Sequence, residues 1–242
     1  MKKIEYYKMF IFEDFYWWYK GLHHIVLKSI KKYIFKKQIS ILDVGCGTGK
    51  LLQILKKFYP NITGFDYNPE AIKLANKRNV NCILADIKNW NFQKYDVIIS
   101  LDLLCYFNYK ETAQIINTFS NALNPKGIII INLPAFPILK RHHDLAVGIK
   151  QRFTIKKLKK ILPENLKIEI LSYRLPILFI VIIFKKFFQK LFKPTVNSDL
   201  KKIPNFLNSI LLSYHKLENW LILNKIKLPF GSSIYAVLRK VN

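Results

Sequence analysis

Apolar residues recur at helical spacing at Leu22, Val26, Ile30, Tyr33 and Ile34, and the run from Ile39 to Val44 then reads as a buried strand that stops at a glycine cluster. Leu51, Leu52 and Leu55 continue as a helix, which Pro60 and Asn61 end, and Ile62 to Asp66 supply a second strand. The rhythm repeats: a helix from Pro69 to about Lys77, strands at Asn81 to Ala85 and Tyr95 to Ser100, a helix over Glu111 to Leu123, and a strand at Gly127 to Leu133. Alternating strands and helices predict an α/β fold with a doubly wound, mostly parallel sheet, the Rossmann-like arrangement. Past Pro134 come a loop rich in His, Arg and Asp, a helix at Ile155 to Ile161, and β-like runs at Leu166 to Arg174 and Ser232 to Arg239, which bring the sheet to seven strands. Between those last two, Leu175 to Gly231 exceeds the usual handful of connecting residues roughly tenfold and reads as a helical insert before the last strand. The expected organisation is one domain over 1–242, with a helical extension (1–38), a ligand-binding core (39–174), the insert (175–231) and the final strand (232–242).

Composition changes this picture in two places. With 51% apolar residues in 242, the chain has material for one substantial core, which excludes intrinsic disorder despite a net charge of +25. That charge attracts polyanions or anionic lipid. However, 35 of the 40 basic residues are Lys, and bidentate reading of bases or phosphates favours Arg, so nucleic-acid binding is not favoured. Cys46, Cys82 and Cys105 form no C-x-x-C pair and are odd in number, which suggests neither a disulfide framework nor a zinc site and fits a reducing cytoplasm. The N-terminus lacks the apolar stretch of a secretory signal. The longest apolar run, Leu175 to Phe184, falls short of the roughly 18 residues that span a bilayer.

The chemistry concentrates at Asp43-Val44-Gly45-Cys46-Gly47-Thr48-Gly49, directly after a strand and before a helix. Glycines there let a ligand press against bare backbone. A phosphate-binding P-loop is excluded, because Lys50 is followed by Leu51, and the dinucleotide spacing fails because the third glycine comes one residue early. Asp43 would repel a pyrophosphate but suits an ammonium group. Asp66 ends the next strand 19 residues after Gly47, close to the roughly 20 expected of a carboxylate that accepts both ribose hydroxyls. The pattern points to a positively charged nucleoside without phosphates.

LDVGCGTG, GFDYNPEAIKLA, LADI and YDVIISLDLL, in that order, resemble the class I S-adenosylmethionine-dependent methyltransferases, over roughly Ile39 to Leu133. The resemblance implies S-adenosyl-L-methionine as cofactor. It implies that Asp43, Gly45, Cys46, Gly47 and Gly49 hold the methionine end, Asp66 the ribose, that Tyr67 and Ile87 flank the adenine, that Asp86 accepts from its amino group, and that Leu101 and Asp102 line the methionine moiety. The flanking segments are similar to bacterial methyltransferases whose substrates are largely unassigned. Where many relatives place Glu-His after the fourth strand this chain has Cys105-Tyr106, and where they place His before an Arg-aromatic pair it has Ile149-Lys150.

Methyl transfer from a sulfonium needs alignment and at most one base. His143 with Asp144, on the loop after the fifth strand where open α/β sheets bind ligands, is the catalytic candidate. Arg152 either grips an anionic substrate or lies on a solvated face. The insert's first half, Ile177 to Phe192, carries Lys185, Lys186, Lys190 and, next to it, Lys193, without an acid, as an interfacial helix does, although packing on the core or a dimer face explains the same residues. The expected acceptor is an O or N atom on a small molecule or a lipid- or glycan-linked substrate, with peripheral contact at an anionic membrane. The alternatives are an RNA or DNA methyltransferase, disfavoured by SLDLLCYF in place of an N-P-P-Y type motif, and a non-catalytic cofactor-binding partner protein.

Overall fold

Ile128 to Ile131 are all fully buried, which a strand achieves when helices cover both faces of its sheet. The strands are β1 (Ile41–Val44), β2 (Ile62–Asp66), β3 (Cys82–Leu84), β4 (Tyr95–Leu101), β5 (Leu123–Pro134), β6 (Leu166–Arg174) and β7 (Ser233–Lys240). The structure, a computed structural model, describes residues 3–36, 38–140, 144, 147–188 and 202–241. Within it the order across the sheet is β3-β2-β1-β4-β5-β7-β6, and β7 alone runs antiparallel. The predicted α/β, doubly wound, mostly parallel sheet is thus the observed one. β5 begins four residues earlier than the hydrophobic run suggests, because Leu123 pairs with Tyr95 across an irregularity in which Lys126 takes a φ of 64°.

The helices are α1 (Lys3–Phe12), α2 (Trp17–Tyr33), α3 (Lys50–Leu55), α4 (Pro69–Asn76), α5 (Tyr109–Ala122), α6 (Ile155–Lys160), α7 (Pro176–Phe187) and α8 (Asn205–Leu223). Alternate strand residues feed two cores. On one face Leu42, Ile98, Ile129, Ile131 and Ala236 pack with Ile116 and Phe119 of α5 and Leu158 of α6. On the other, Ile41, Val97, Ile99, Ile128 and Ile130 pack with Ile25 and Ile30 of α2, Leu52 and Leu55 of α3, and Ile222 of α8. Local signals agree with these ends: Asn108 and Glu111 form a reciprocal capping box on α5, and Asn68 caps α4 with Pro69 in its first turn.

The insert is joined to the N-terminal extension. Asn208 of α8 accepts from the Trp17 N–H at the start of α2, and Asn219 donates to Gly21 O at 2.7 Å. Gly21 is required there, since a Cβ would stand 1.8 Å from the His215 ring. The absence of a side chain on Gly21 thus leaves room for the His215 ring between the two helices.

Candidate active site

The sheet order reverses between β1 and β4, and open α/β sheets bind ligands at that point, beyond the carboxyl ends of the strands. A cleft of about 550 Å³ opens there. Gly45, Cys46 and Gly47 form part of its wall, with Gly45, Gly47 and Gly49 at φ of 74°, 54° and 78°. Gly49 thereby caps α3 in a left-handed conformation. Asp66 fixes the loop from beside it: its Oδ2 accepts from Gly47 N–H at 3.1 Å and its Oδ1 from Asn68 N–H at 2.9 Å. Burial raises the Asp66 pKa, and those backbone donors pull it back.

The electrostatics of the cleft oppose those of the protein. In a chain with a net charge of +25, six of the fifteen acids border this one cavity: Glu5, Glu13, Asp43, Asp66, Asp102 and Asp144. Against them stand Arg152 and Lys185, and Arg152 is committed to Asp144. Burial, with Glu13 and Asp66 nearby, pushes Asp43 up to about 8, and burial pushes Glu13 up to about 7. Asp102 is raised by burial to about 6, against hydrogen bonds from Asn132. Several carboxyls gathered in little water are stabilised in their ionised form by a bound cation.

This arrangement has a measurable consequence. Asp43 and Glu13 keep their protons well above the value near 4 of an unfolded carboxyl. Through these two carboxyls the folded state holds protons that the unfolded one has lost between about pH 4 and 8. Buried His23 and His215, neutral in the fold, act the other way below about pH 6.5, so stability should fall with rising pH chiefly from about 6.5 to 8. A cationic ligand favours the ionised carboxyls, so its binding should tighten by up to about tenfold per pH unit between about 6 and 8, with proton release. Calorimetry in two buffers of different ionisation enthalpy reads the released protons. Asp43→Asn should remove most of the dependence, and a flat wild-type profile would contradict the assignment.

Helix α1 and the following turn close the cleft from above. Met9 lies over the glycine loop, its Cε 2.9 Å from where a Cβ on Gly47 would be. Arg78, which sequence reasoning passed over, ties this roof down: it donates to Thr48 O at 3.1 Å, Asp14 Oδ1 at 2.8 Å and Phe10 O at 2.6 Å. Glu13 completes the tie through the Thr48 hydroxyl and an ion pair with Arg78 at 3.5 Å. His23 of α2 also borders the cleft, and burial lowers its pKa to about 3.

The remaining sequence candidates are distributed as follows. Tyr67 and Leu101 line the cleft, Tyr67 half open to solvent. Asp86 and Ile87 lie on the loop after β3, outside the lining of this cleft, and Asp86 Oδ1 accepts from Lys88 N–H at 2.9 Å. Asp144 is fully buried, and Arg152 donates to both its oxygens, from Nε at 2.5 Å and Nη2 at 2.8 Å. Arg152 also donates to Ala135 O at 3.1 Å, so the pair anchors the loop to the end of β5. That bidentate bond replaces both sequence readings of Arg152, the anion grip and the solvated face. His143 lies outside the described residues, as do Lys190 and Lys193.

Apolar residues line the same cleft. Trp17, Trp18 and Leu22 come from α2, and Leu178, Val181 and Ile182 from α7, with Lys185 one turn on. The insert thus supplies one wall of the cavity that the glycine loop begins.

A family described as "Methyltransferase domain" matches residues 35–174. Among curated proteins, the chain is 32% identical over 140 residues to malonyl-[acyl-carrier protein] O-methyltransferase of Priestia megaterium, covering 55% of this chain and 50% of that protein. It is 30% identical over 107 residues to the probable tRNA methyltransferase 9B of Bos taurus, covering 43% and 23%. The chain spans about half the length, or less, of these curated relatives. Among solved structures, the plantazolicin methyltransferase BpumL in complex with SAH superposes with a TM-score of 0.55 at 20% identity, covering 91% of this chain and 82% of that one, a likeness of fold.

Proposed function

The chain belongs to the methyltransferase domain family and uses S-adenosylmethionine, and on that premise we propose that it methylates an O or N atom of an acceptor with an apolar body, either a small molecule or a lipid- or glycan-linked one. The observation that carries this reading is that one cleft is lined both by acids, around the glycine loop and the neighbouring strand ends, and by apolar residues of α2 and α7. S-adenosylmethionine supplies a sulfonium methyl, an electrophile that needs no covalent intermediate on the protein. Asp43 and the Gly45 to Gly49 loop would hold its cationic amino acid end, Asp66 the ribose, and Tyr67 and Leu101 would bound the site; Asp86 and Ile87 would reach the adenine from the loop after β3. The roof formed by α1 would exclude water, and Trp17, Trp18, Leu178 and Ile182 would align the acceptor by burying its apolar part. His143, next to the anchored Asp144, would accept the acceptor's proton. The Priestia megaterium relative is named for a carrier-linked acyl substrate, which is consistent with an acceptor carried on a larger group.

Presentation at a membrane surface is the finer part of the proposal. Ile177, Ile180, Phe184 and Phe187 recur at helical spacing along the outer face of α7, all exposed, and Phe206, Ile210, Leu217 and Trp220 do so on α8. Among the described residues no helix is long and apolar enough to cross a membrane. Lys185 and Lys186 flank the α7 stripe, and each basic residue near an anionic surface contributes about 1 kcal/mol. Anionic lipid complements both features of this face, apolar residues and positive charge.

Incubation with methyl-labelled cofactor and separated lipid, glycan, small-molecule and RNA pools tests the acceptor. Label is expected in a lipid, glycan or small-molecule pool, and label confined to RNA would overturn the reading. In the same assay His143→Ala should lower turnover about 10²-fold or more with cofactor affinity unchanged, and normal turnover would remove the base from the scheme. Co-sedimentation with phosphatidylglycerol-containing vesicles should weaken at high salt and on changing Lys185, Lys186, Lys190 and Lys193 to Gln. Absence of binding at low salt would leave the acceptor away from the membrane.

A further inference from the structure

Cys46 and Cys82 are 36 residues apart in sequence, yet their sulfur atoms lie 3.5 Å apart. The fold creates the meeting. Cys46 sits between two glycines of the loop and borders the cleft, while Cys82 opens β3. Gly64 of β2, the register partner of Cys82, makes room: a Cβ there would stand 2.7 Å from Cys46 Cβ and 3.1 Å from its sulfur. Both cysteines are free thiols, Cys46 buried and Cys82 half-buried.

We propose that this thiol pair is a modification site, which hydrogen peroxide converts to a disulfide that disables the cofactor loop. The more accessible sulfur reacts first. Cys82 thiol attacks one peroxide oxygen, breaking the O–O bond to give a sulfenic acid and one water. The Cys46 sulfur then attacks the sulfenic sulfur, forming the S–S bond and releasing a second water, so that two thiols are oxidised as one peroxide is reduced. A disulfide bond is about 2.05 Å long, so the sulfurs must close by about 1.5 Å. Cys82 is held in the β2–β3 ladder, whereas Cys46 lies between Gly45 and Gly47, both at positive φ, so the glycine loop is the part that yields. Cys46 N–H donates to Phe65 O at 3.0 Å and Gly47 N–H to Asp66 Oδ2 at 3.1 Å, and drawing the loop toward β3 strains both bonds.

The inference rests on the reading that the glycine loop holds the cofactor. The test compares reduced and peroxide-treated protein, wild type against Cys82→Ser, by peptide mass mapping and by calorimetry with S-adenosylmethionine. Wild type should yield a linked Cys46–Cys82 peptide lacking two hydrogens. Its cofactor affinity should fall about tenfold or more, and a dithiol reductant should restore it. Cys82→Ser should bind cofactor like reduced wild type before and after peroxide. No linked peptide, or a linked peptide with unchanged affinity, would overturn the proposal. Failure of the reduced protein to bind cofactor would instead overturn the cofactor reading, while the peptide map still decides whether the disulfide forms.

Discussion

Gly47→Val is expected to abolish S-adenosylmethionine binding, with at least about a hundredfold loss, in a protein whose sheet remains folded. Two effects combine at this position. Gly47 has a φ of 54°, a region in which a β-branched residue is an outlier that costs about 1–3 kcal/mol. Its new side chain would also point into the cleft, since the nearest atom to a Cβ is Met9 Cε at 2.9 Å on the roof helix. Met9 is flexible enough to move aside, so folding survives, whereas a ligand lying against bare backbone has no such freedom. The loop would further lose its register with Asp66, because Gly47 N–H donates to that carboxylate. Calorimetry for affinity and circular dichroism for the fold separate the two effects. Near-normal affinity in a folded Gly47→Val protein would show that the loop is a turn and that the cofactor lies elsewhere.

What could be read beforehand follows from the range of each interaction. The strand–glycine–helix unit from Ile39 to Leu55, the acid at the end of β2, and the strand rhythm are local patterns, and they were legible. The full acid lining was not, because Glu5 and Glu13, on and just after α1, join Asp43, Asp66, Asp102 and Asp144 only when α1 folds over the edge of the sheet. The meeting of Cys46 and Cys82 depends likewise on a register that places Gly64 beside Cys82. One signal was present and went unread. In a chain with 35 lysines, five arginines remain, and each of the four described ones faces a carboxylate: Arg78 with Asp14 and Glu13, Arg152 with Asp144, Arg174 with Glu218, and Arg239 with Glu169. Lysine has no planar fork to replace such contacts, so arginine in a lysine-rich sequence marks where the fold needs one. The insert was legible as two apolar stretches, but its role as a cleft wall depends on which side of α7 turns inward.

Arg174→Met is expected to destabilise the protein by about 3–5 kcal/mol, the penalty for leaving a buried charge without its partner. Arg174 is fully buried at the end of β6, where the chain enters the insert. Its Nη1 donates to Asn132 Oδ1 at 3.0 Å, Nη2 meets His215 Nε2, and Nε lies 3.9 Å from Glu218 Oε1. Burial lowers the His215 pKa to about 2, so that ring is neutral and Glu218 is the carboxylate facing the guanidinium. Glu218 in turn accepts from Leu175 N–H at 3.0 Å, pinning the residue before α7. Methionine fills similar space without charge or donors, and so strands Glu218. With total stabilities of about 5–15 kcal/mol, the loss is a large fraction. In a chain of this size it should lower the melting temperature by roughly 6–20 °C. The effect should also reach the cleft, because Asn132 Nδ2 donates to Asp102 at 2.9 and 3.1 Å. Without Arg174 to orient Asn132 and to stabilise negative charge, the Asp102 pKa should rise further, moving the acid limb of a turnover profile to higher pH. Adding Glu218→Gln keeps an oxygen for Leu175 N–H while removing the stranded charge, so the double variant should recover part of the stability. Denaturant titrations of the two singles and the double measure the coupling. An Arg174→Met protein within about 1 kcal/mol of wild type, or strictly additive variants, would show that the buried pair does not hold the insert to the sheet.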